Sequence, residues 1–102
     1  MHLINLVYGG VNGKVEDIAP RSGVCHRTDW AAGVNYGHSV TLSSDSLLAR
    51  ICRTEWILVN GVHSRGVASL GAGLRLTAHS DDGLVEAFEA QGEGFCVGVQ
   101  WH

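Results

Sequence analysis

Proline is nearly missing from this sequence, which has one in 102 residues, and only three cysteines occur, Cys25, Cys52 and Cys96. No two of them form a C-x-x-C, so neither a zinc knuckle nor a dithiol redox motif is indicated. An odd, widely spaced set of cysteines reads as reduced and mostly buried thiols. Basic stretches are absent too: seven Lys and Arg stand against ten Asp and Glu, for a formal net charge of −3. Non-specific nucleic-acid binding, which needs clustered cations, is thereby excluded. No apolar run approaches the roughly 20 residues that span a bilayer. Nor does the N-terminus show a basic segment followed by an apolar one and a cleavage site. The expectation is a cytoplasmic protein that binds neither membrane nor nucleic acid.

What is present suits one globular domain over residues 1–102, with 45% hydrophobic residues and fourteen glycines. Glycine costs chain entropy on folding and packs no side chain. A core this lean leaves apolar surface to cover, and association between copies is the natural remedy. Residues 1–37 read as a loop-rich segment and 38–102 as a β-rich one.

Leu3 to Tyr8 is apolar except for Asn5, and over so short a run helix and strand are equally open. Val11 to Tyr36, rich in Gly, Asn, Asp and Ser, reads as mostly loop with a helical turn at Val15 to Ile18. His38 to Leu42 alternates polar and apolar as a half-buried strand does. Ser43-Ser44-Asp45 offers an N-cap for a short helix over Ser46 to Cys52, with Leu47, Leu48 and Ile51 as its apolar face. Trp56 to Val59 suits a buried strand, with Trp56 in the core. Leu74 to Ala78 and Leu84 to Phe88 alternate around Ser80-Asp81-Asp82-Gly83, which predicts a hairpin. Phe95 to Trp101 supplies a last strand. The fold class expected is α+β and β-rich, mostly antiparallel, with one or two short helices.

Three ordered motifs then carry a family resemblance. Val59-Asn-Gly-Val-His63, Leu74 through Ala87, and Gly98-Val-Gln-Trp-His102 resemble the C-terminal half of class I glutamine amidotransferase-like hydrolases. The nearest branch is the γ-glutamyl-γ-aminobutyrate hydrolase group, peptidase family C26, with its V-N-S-x-H-x-Q, A-x-S-x-D-G-x-x-E-A and G-V-Q-W-H-P-E. Leu3 to Gly10 resembles the family's helix after the nucleophile elbow, and His38-Ser39-Val40 its H-x-V strand. The resemblance implies a Cys-His-Glu triad with His102 as the catalytic His. The family's Cys lies in a G-x-C-R-G-x-Q elbow that would fall just before Met1, and its Glu would fall two residues after His102. The expectation is therefore a truncated domain with one of three triad residues, needing no cofactor.

Nucleophilic catalysis requires a thiolate, a base in hydrogen-bond reach and a group that orients the base. His102 has the chemistry of the base; read alone it is also an ordinary solvated terminal residue. Asn60 and His63 are candidate substrate-binding residues by the resemblance, although Gly61 and Arg65 replace the motif's Ser and Gln. Their structural alternative is a strand-to-loop corner fixed by bonds to backbone. Cys96 and His102 sit on one predicted strand but roughly 20 Å apart, too far for a dyad. Cys25 and His26 are adjacent and diverge. The six histidines show no close ligand spacing, which leaves at most a metal held between subunits and predicts none within the chain. Asp81, Asp82 and Glu86 read as a hairpin turn and its solvated strand, Gly92-Glu93-Gly94 as a loop, and Trp30 and Trp101 as packing residues.

Three functions fit: a truncated γ-glutamyl amide hydrolase-like domain, a non-catalytic binding or assembly protein, and one half of a split hydrolase whose partner chain supplies the Cys elbow. A homo-oligomer is expected from the open strand edges such a half-fold leaves.

Overall fold

The computed structural model describes residues 1–27, 31 and 37–102. The packing expected of Trp30 lies outside these residues. The elements are α1 (His2–Val7), β1 (Val11–Lys14), α2 (Val15–Ile18), β2 (Gly37–Leu42), α3 (Leu47–Cys52), β3 (Trp56–Asn60), β4 (Arg65–Ser69), β5 (Leu74–Ser80), β6 (Val85–Ala90) and β7 (Val97–Val99). Five strands form one antiparallel sheet in the order β3-β2-β5-β6-β7, and β1 pairs with β4 in a two-stranded ribbon. The β-rich α+β class read from the sequence is the one observed. Among the described residues no helix is long and apolar enough to cross a membrane.

The β5–β6 hairpin turns where expected. Gly83, at φ 82°, takes the left-handed conformation that side chains resist, and its N–H donates to the Ser80 carbonyl at 2.8 Å. Asp82 Oδ1 caps the turn by accepting from Leu84 N–H. The phase of β5 differs from simple alternation. A register shift between Leu76 and Ala78 turns Leu76 outward and buries Thr77 completely.

Two apolar clusters lie against this frame. One gathers Val40, Leu42, Ala49, Val59, Ala78 and Ala87, with Trp101 packed against it; the other gathers Val67, Leu74 and Phe88 with Met1 and Ile4. The cap of α3 is Ser46, whose Oγ accepts from Ala49 N–H at 3.0 Å, not the preceding Ser-Ser-Asp. With Ser46 buried at the first turn, Leu48 and Ala49 face the core and Ile51 faces out.

Several expectations are corrected. The Val11–Tyr36 stretch, read as loop, holds β1 as well as the helical turn α2. β1 was hidden because two of its four residues are Asn12 and Gly13, and its partner β4 escaped notice with it. Alternation along the edge strand β3 turns Ile57 and Val59 to the core and leaves Trp56 and Leu58 63% and 70% exposed rather than buried. The last strand keeps only Val97–Val99, and Phe95 is exposed. Cys25 and Cys52 are exposed and Cys96 half-buried, all three free, because each lies outside the two clusters.

α1 inverts the usual burial. Its one polar mid-helix residue, Asn5, is fully buried while Leu3 and Val7 are 75% and 77% exposed. Asn5 Nδ2 donates to Asn12 Oδ1 at 3.0 Å and to the Ser69 carbonyl at 3.1 Å, and its Oδ1 accepts from Gly71 N–H at 2.9 Å. One amide thus ties α1 to both strands of the ribbon. Asn5→Ala orphans buried backbone groups, and a loss of about 2–4 kcal/mol is expected in denaturant unfolding; a change below about 0.5 kcal/mol contradicts this role.

Candidate active-site cleft and histidine cluster

The C-terminal end is held by one side chain. Asn60, the last residue of β3, accepts the His102 backbone N–H on its Oδ1 at 2.9 Å. His102 is exposed and lines a cleft of about 390 Å³ with Met1, His2, His63, Val99, Gln100 and Trp101. The first and last residues of the chain therefore share one wall. His2 has a buried Nε2 without a hydrogen-bond partner among the described residues, and burial lowers its pKa.

His63 forms the boundary between this cleft and a second group of residues behind it. Its Nδ1 lies 3.0 Å from the Arg65 carbonyl, which also accepts from Gln100 Nε2 at 2.9 Å. Asn60 and His63 thus both bond to backbone, as their structural reading requires. The Nε2 of His63 stands 3.6 Å from Glu86 Oε1, and around that same oxygen are His26 Nδ1 at 3.3 Å and His38 Nε2 at 3.2 Å.

Glu86 is completely buried, which corrects its reading as a residue of a solvated strand. The physical reason is the position of β6 between β5 and β7. Leu84 and Phe88, two residues to either side of Glu86, are also buried, and Leu84 lies beneath Gly66 of β4. Alternation along a strand places Glu86 on that covered face. Burial raises the Glu86 pKa, but the neighbouring His26, His63 and His38 imidazoles more than offset it and draw it down to about 2.

Asp82 lies behind His26, its Oδ2 2.8 Å from His26 Nε2. Although burial opposes it, hydrogen bonds from Ser22, Ser80, His26 and the Leu84 N–H hold this carboxyl well below the usual range. For His26, burial is outweighed by the two carboxylates and the pKa rises; for His38, burial prevails and it falls. The His26 ring meets the His38 ring edge-on at 4.7 Å and the His63 ring at 5.0 Å.

What brings His26 here is backbone crossing. Arg27 bridges to Val62, and His63 N–H donates to the His26 carbonyl at 2.8 Å. At the crossing, a Cβ on Gly61 would stand 2.8 Å from the Cys25 carbonyl oxygen and 2.9 Å from His26 Cα. This accounts for glycine where the resembling motif carries Ser.

Sequence reasoning singled out His102, Asn60 and His63, and the structure brings all three to the cleft or its rim. It missed His26, His38, Asp82 and Glu86 as a group. His38, His63 and Glu86 each lie in one of the quoted motif segments, and that shared membership was the available signal. His26 offered none beyond its place beside Cys25, whose side chain is exposed and donates to the Arg27 carbonyl at 3.2 Å.

Comparison with known proteins agrees with the motifs. The family model described as Peptidase C26 matches residues 1–102. Protein NtpR of Enterococcus hirae is 34% identical over 103 aligned residues, covering 100% of this chain and 43% of that protein. The gamma-glutamyl-gamma-aminobutyrate hydrolase PuuD of Escherichia coli is 38% identical over 68 residues, covering 64% of this chain and 26% of the enzyme. The chain spans less than half the length of the curated relatives it matches.

Gly61→Ala tests the crossing. The added methyl meets backbone on the opposite segment, so a destabilisation of about 1–3 kcal/mol is expected. The His26 imidazole signals should shift in NMR while those of His79, in the β5–β6 hairpin, stay in place. Unchanged His26 signals would refute the crossing as its positioning device.

Proposed function

The chain belongs to the peptidase C26 family, and from that premise we propose that it carries the base half of a γ-glutamyl amide hydrolase site. The observation that carries this reading is the shared cleft of Met1, His2 and His102. The family's nucleophile elbow aligns immediately before Met1, so a cysteine entering there from another segment or a partner chain would face His102.

The chemistry follows from the residues. His102 takes the thiol proton as the thiolate attacks the amide carbonyl, then returns it to the departing amine. Water, deprotonated by the same imidazole, hydrolyses the resulting thioester. Asn60 is a positioning residue, fixing the backbone that carries His102. His63 borders the same wall with its ring, its nitrogens directed to the Arg65 carbonyl and Glu86, so its contribution to the substrate site is one of shape. The γ-glutamyl substrate class is supported by the similarity to the gamma-glutamyl-gamma-aminobutyrate hydrolase of Escherichia coli. A cytoplasmic setting is part of the proposal, supported by the three free thiols.

A second reading, assembly of copies, is favoured by α1 and β3. Leu3, Leu6 and Val7 of α1 and Trp56 and Leu58 of the edge strand β3 lie exposed. Apolar side chains beside unpaired strand edges favour association.

Both readings are testable. The purified chain alone should release no glutamate from a γ-glutamyl amide. Addition of a polypeptide bearing a relative's G-x-C-R-G-x-Q segment should produce turnover, and His102→Ala should lower it at least about 100-fold. Turnover that survives His102→Ala, or that needs no cysteine, refutes the assignment. Light scattering should give a mass above the 10.9 kDa of one chain, moving toward it in Leu58→Lys. A mass of one chain at every concentration rules out assembly.

A further inference from the structure

The atoms around Glu86 pose a charge problem that the hydrolase reading does not use. Among the described residues, His26 Nδ1, His38 Nδ1, His63 Nε2 and Glu86 Oε2 are buried without a hydrogen-bond partner. The tautomers of two rings follow from their outer contacts. His26 Nε2 faces the Asp82 carboxyl at 2.8 Å, whose oxygens also accept from Ser22, Ser80 and the Leu84 N–H, so the proton sits on Nε2. His63 Nδ1 faces a backbone carbonyl, which only accepts, so its proton sits on Nδ1. In the neutral rings, His26 Nδ1 and His63 Nε2 are then lone pairs standing 3.3 and 3.6 Å from a carboxylate oxygen. A positive charge is needed among these atoms, and either a protonated imidazole or a bound cation would supply it.

The spacing around Glu86 Oε1 suits a cation. Donors about 2.0–2.1 Å from a tetrahedral Zn²⁺ stand about 3.3–3.4 Å from one another. The three distances from Glu86 Oε1 to imidazole nitrogens are 3.2, 3.3 and 3.6 Å. Donor atoms of His26, His38 and Glu86 all lie within 4.8 Å of one another. The side chains of His26, His38, His63 and Glu86 are 3%, 6%, 8% and 0% exposed, so ion and ligands would be shielded from water. The outer contacts also match, because metal-ligating histidines typically donate their second N–H to a carboxylate or a backbone carbonyl. Asp82 and the Arg65 carbonyl do this for His26 and His63.

We propose that His26, His38 and Glu86, with His63 as the fourth donor, bind a divalent transition-metal cation of the Zn²⁺ class. Imidazole with carboxylate suits such ions, and a closed set of four protein donors marks the site as structural. The sequence spacing hid it because the donors come from four separate segments: the 22–27 loop, β2, the β3–β4 connection and β6. The site joins the loop-rich N-terminal segment to the five-stranded sheet through a single ion.

The untagged full chain, stripped with chelator and dialysed, provides the test. Zn²⁺ should bind at one equivalent per chain by calorimetry and mass spectrometry and raise the melting temperature. Co²⁺ should give the intense visible absorption of a tetrahedral centre. Histidine ¹⁵N spectra of the unmodified chain should show shifts at His26 Nδ1, His38 Nε2 and His63 Nε2 on Zn²⁺ addition, a readout independent of any variant's folding. Asp82→Asn should weaken Zn²⁺ binding about 10- to 100-fold by loosening His26, and folded His38→Gln should lose the Co²⁺ spectrum. Absence of Zn²⁺ binding at tenfold excess, unmoved ring nitrogens, or binding undiminished in His38→Gln overturns the proposal. None of these readouts requires hydrolysis, so inactivity toward γ-glutamyl amides leaves the test intact.

Discussion

The structure turns on one buried carboxylate. Removing Glu86 from water is costly, and the cost is met only by bringing positive or polarisable groups to it. The molecule does so from three directions: His38 from β2, His63 from the turn after β3, and His26 from a loop drawn across Gly61. Asp82, at the hairpin turn four residues before Glu86, anchors His26 from the far side. The hairpin, the backbone crossing and the ribbon over β6 all serve one requirement, that no water reaches this oxygen.

Cleft and cluster are neighbours that share His63. Its ring bonds the Arg65 carbonyl, borders the cleft that holds His102, and approaches Glu86 with its other nitrogen. Gln100 reinforces the wall, bonding Arg65 through its side chain and the Glu86 carbonyl through its N–H. The position of His102 is therefore coupled to the buried group by two short covalent and hydrogen-bonded paths.

Much of this was legible in the sequence where period and turn chemistry agreed. β2 and the β5–β6 hairpin were readable because alternation met Asp-Asp-Gly at the turn. β1 and β4 were not, since Gly13 and Gly66 pair where side chains would announce a strand. Trp56 and Asn5 reversed the ordinary expectation, the first because alternation along its edge strand turns it outward, the second because its amide bonds outweigh its polarity. Motif resemblance located His102, Asn60 and His63, but only three-dimensional proximity assembles Glu86 with its histidines. A glutamate three residues past a turn gives no sign in sequence that another layer will cover it.

The contacts of the cluster are distant along the chain: His26 to Asp82 spans 56 positions and His38 to Glu86 spans 48. Loops of that length close at an entropic cost before any contact repays it, and topologies built on such contacts fold slowly. The carboxylate must also stay hydrated until its partners arrive, for burial ahead of them would strand a bare charge. The order of assembly is thereby constrained: the local β5–β6 hairpin can form early with Glu86 still wet, and the 22–27 loop closes over it last. Closure of that loop is where much of the long-range entropic cost of this fold falls.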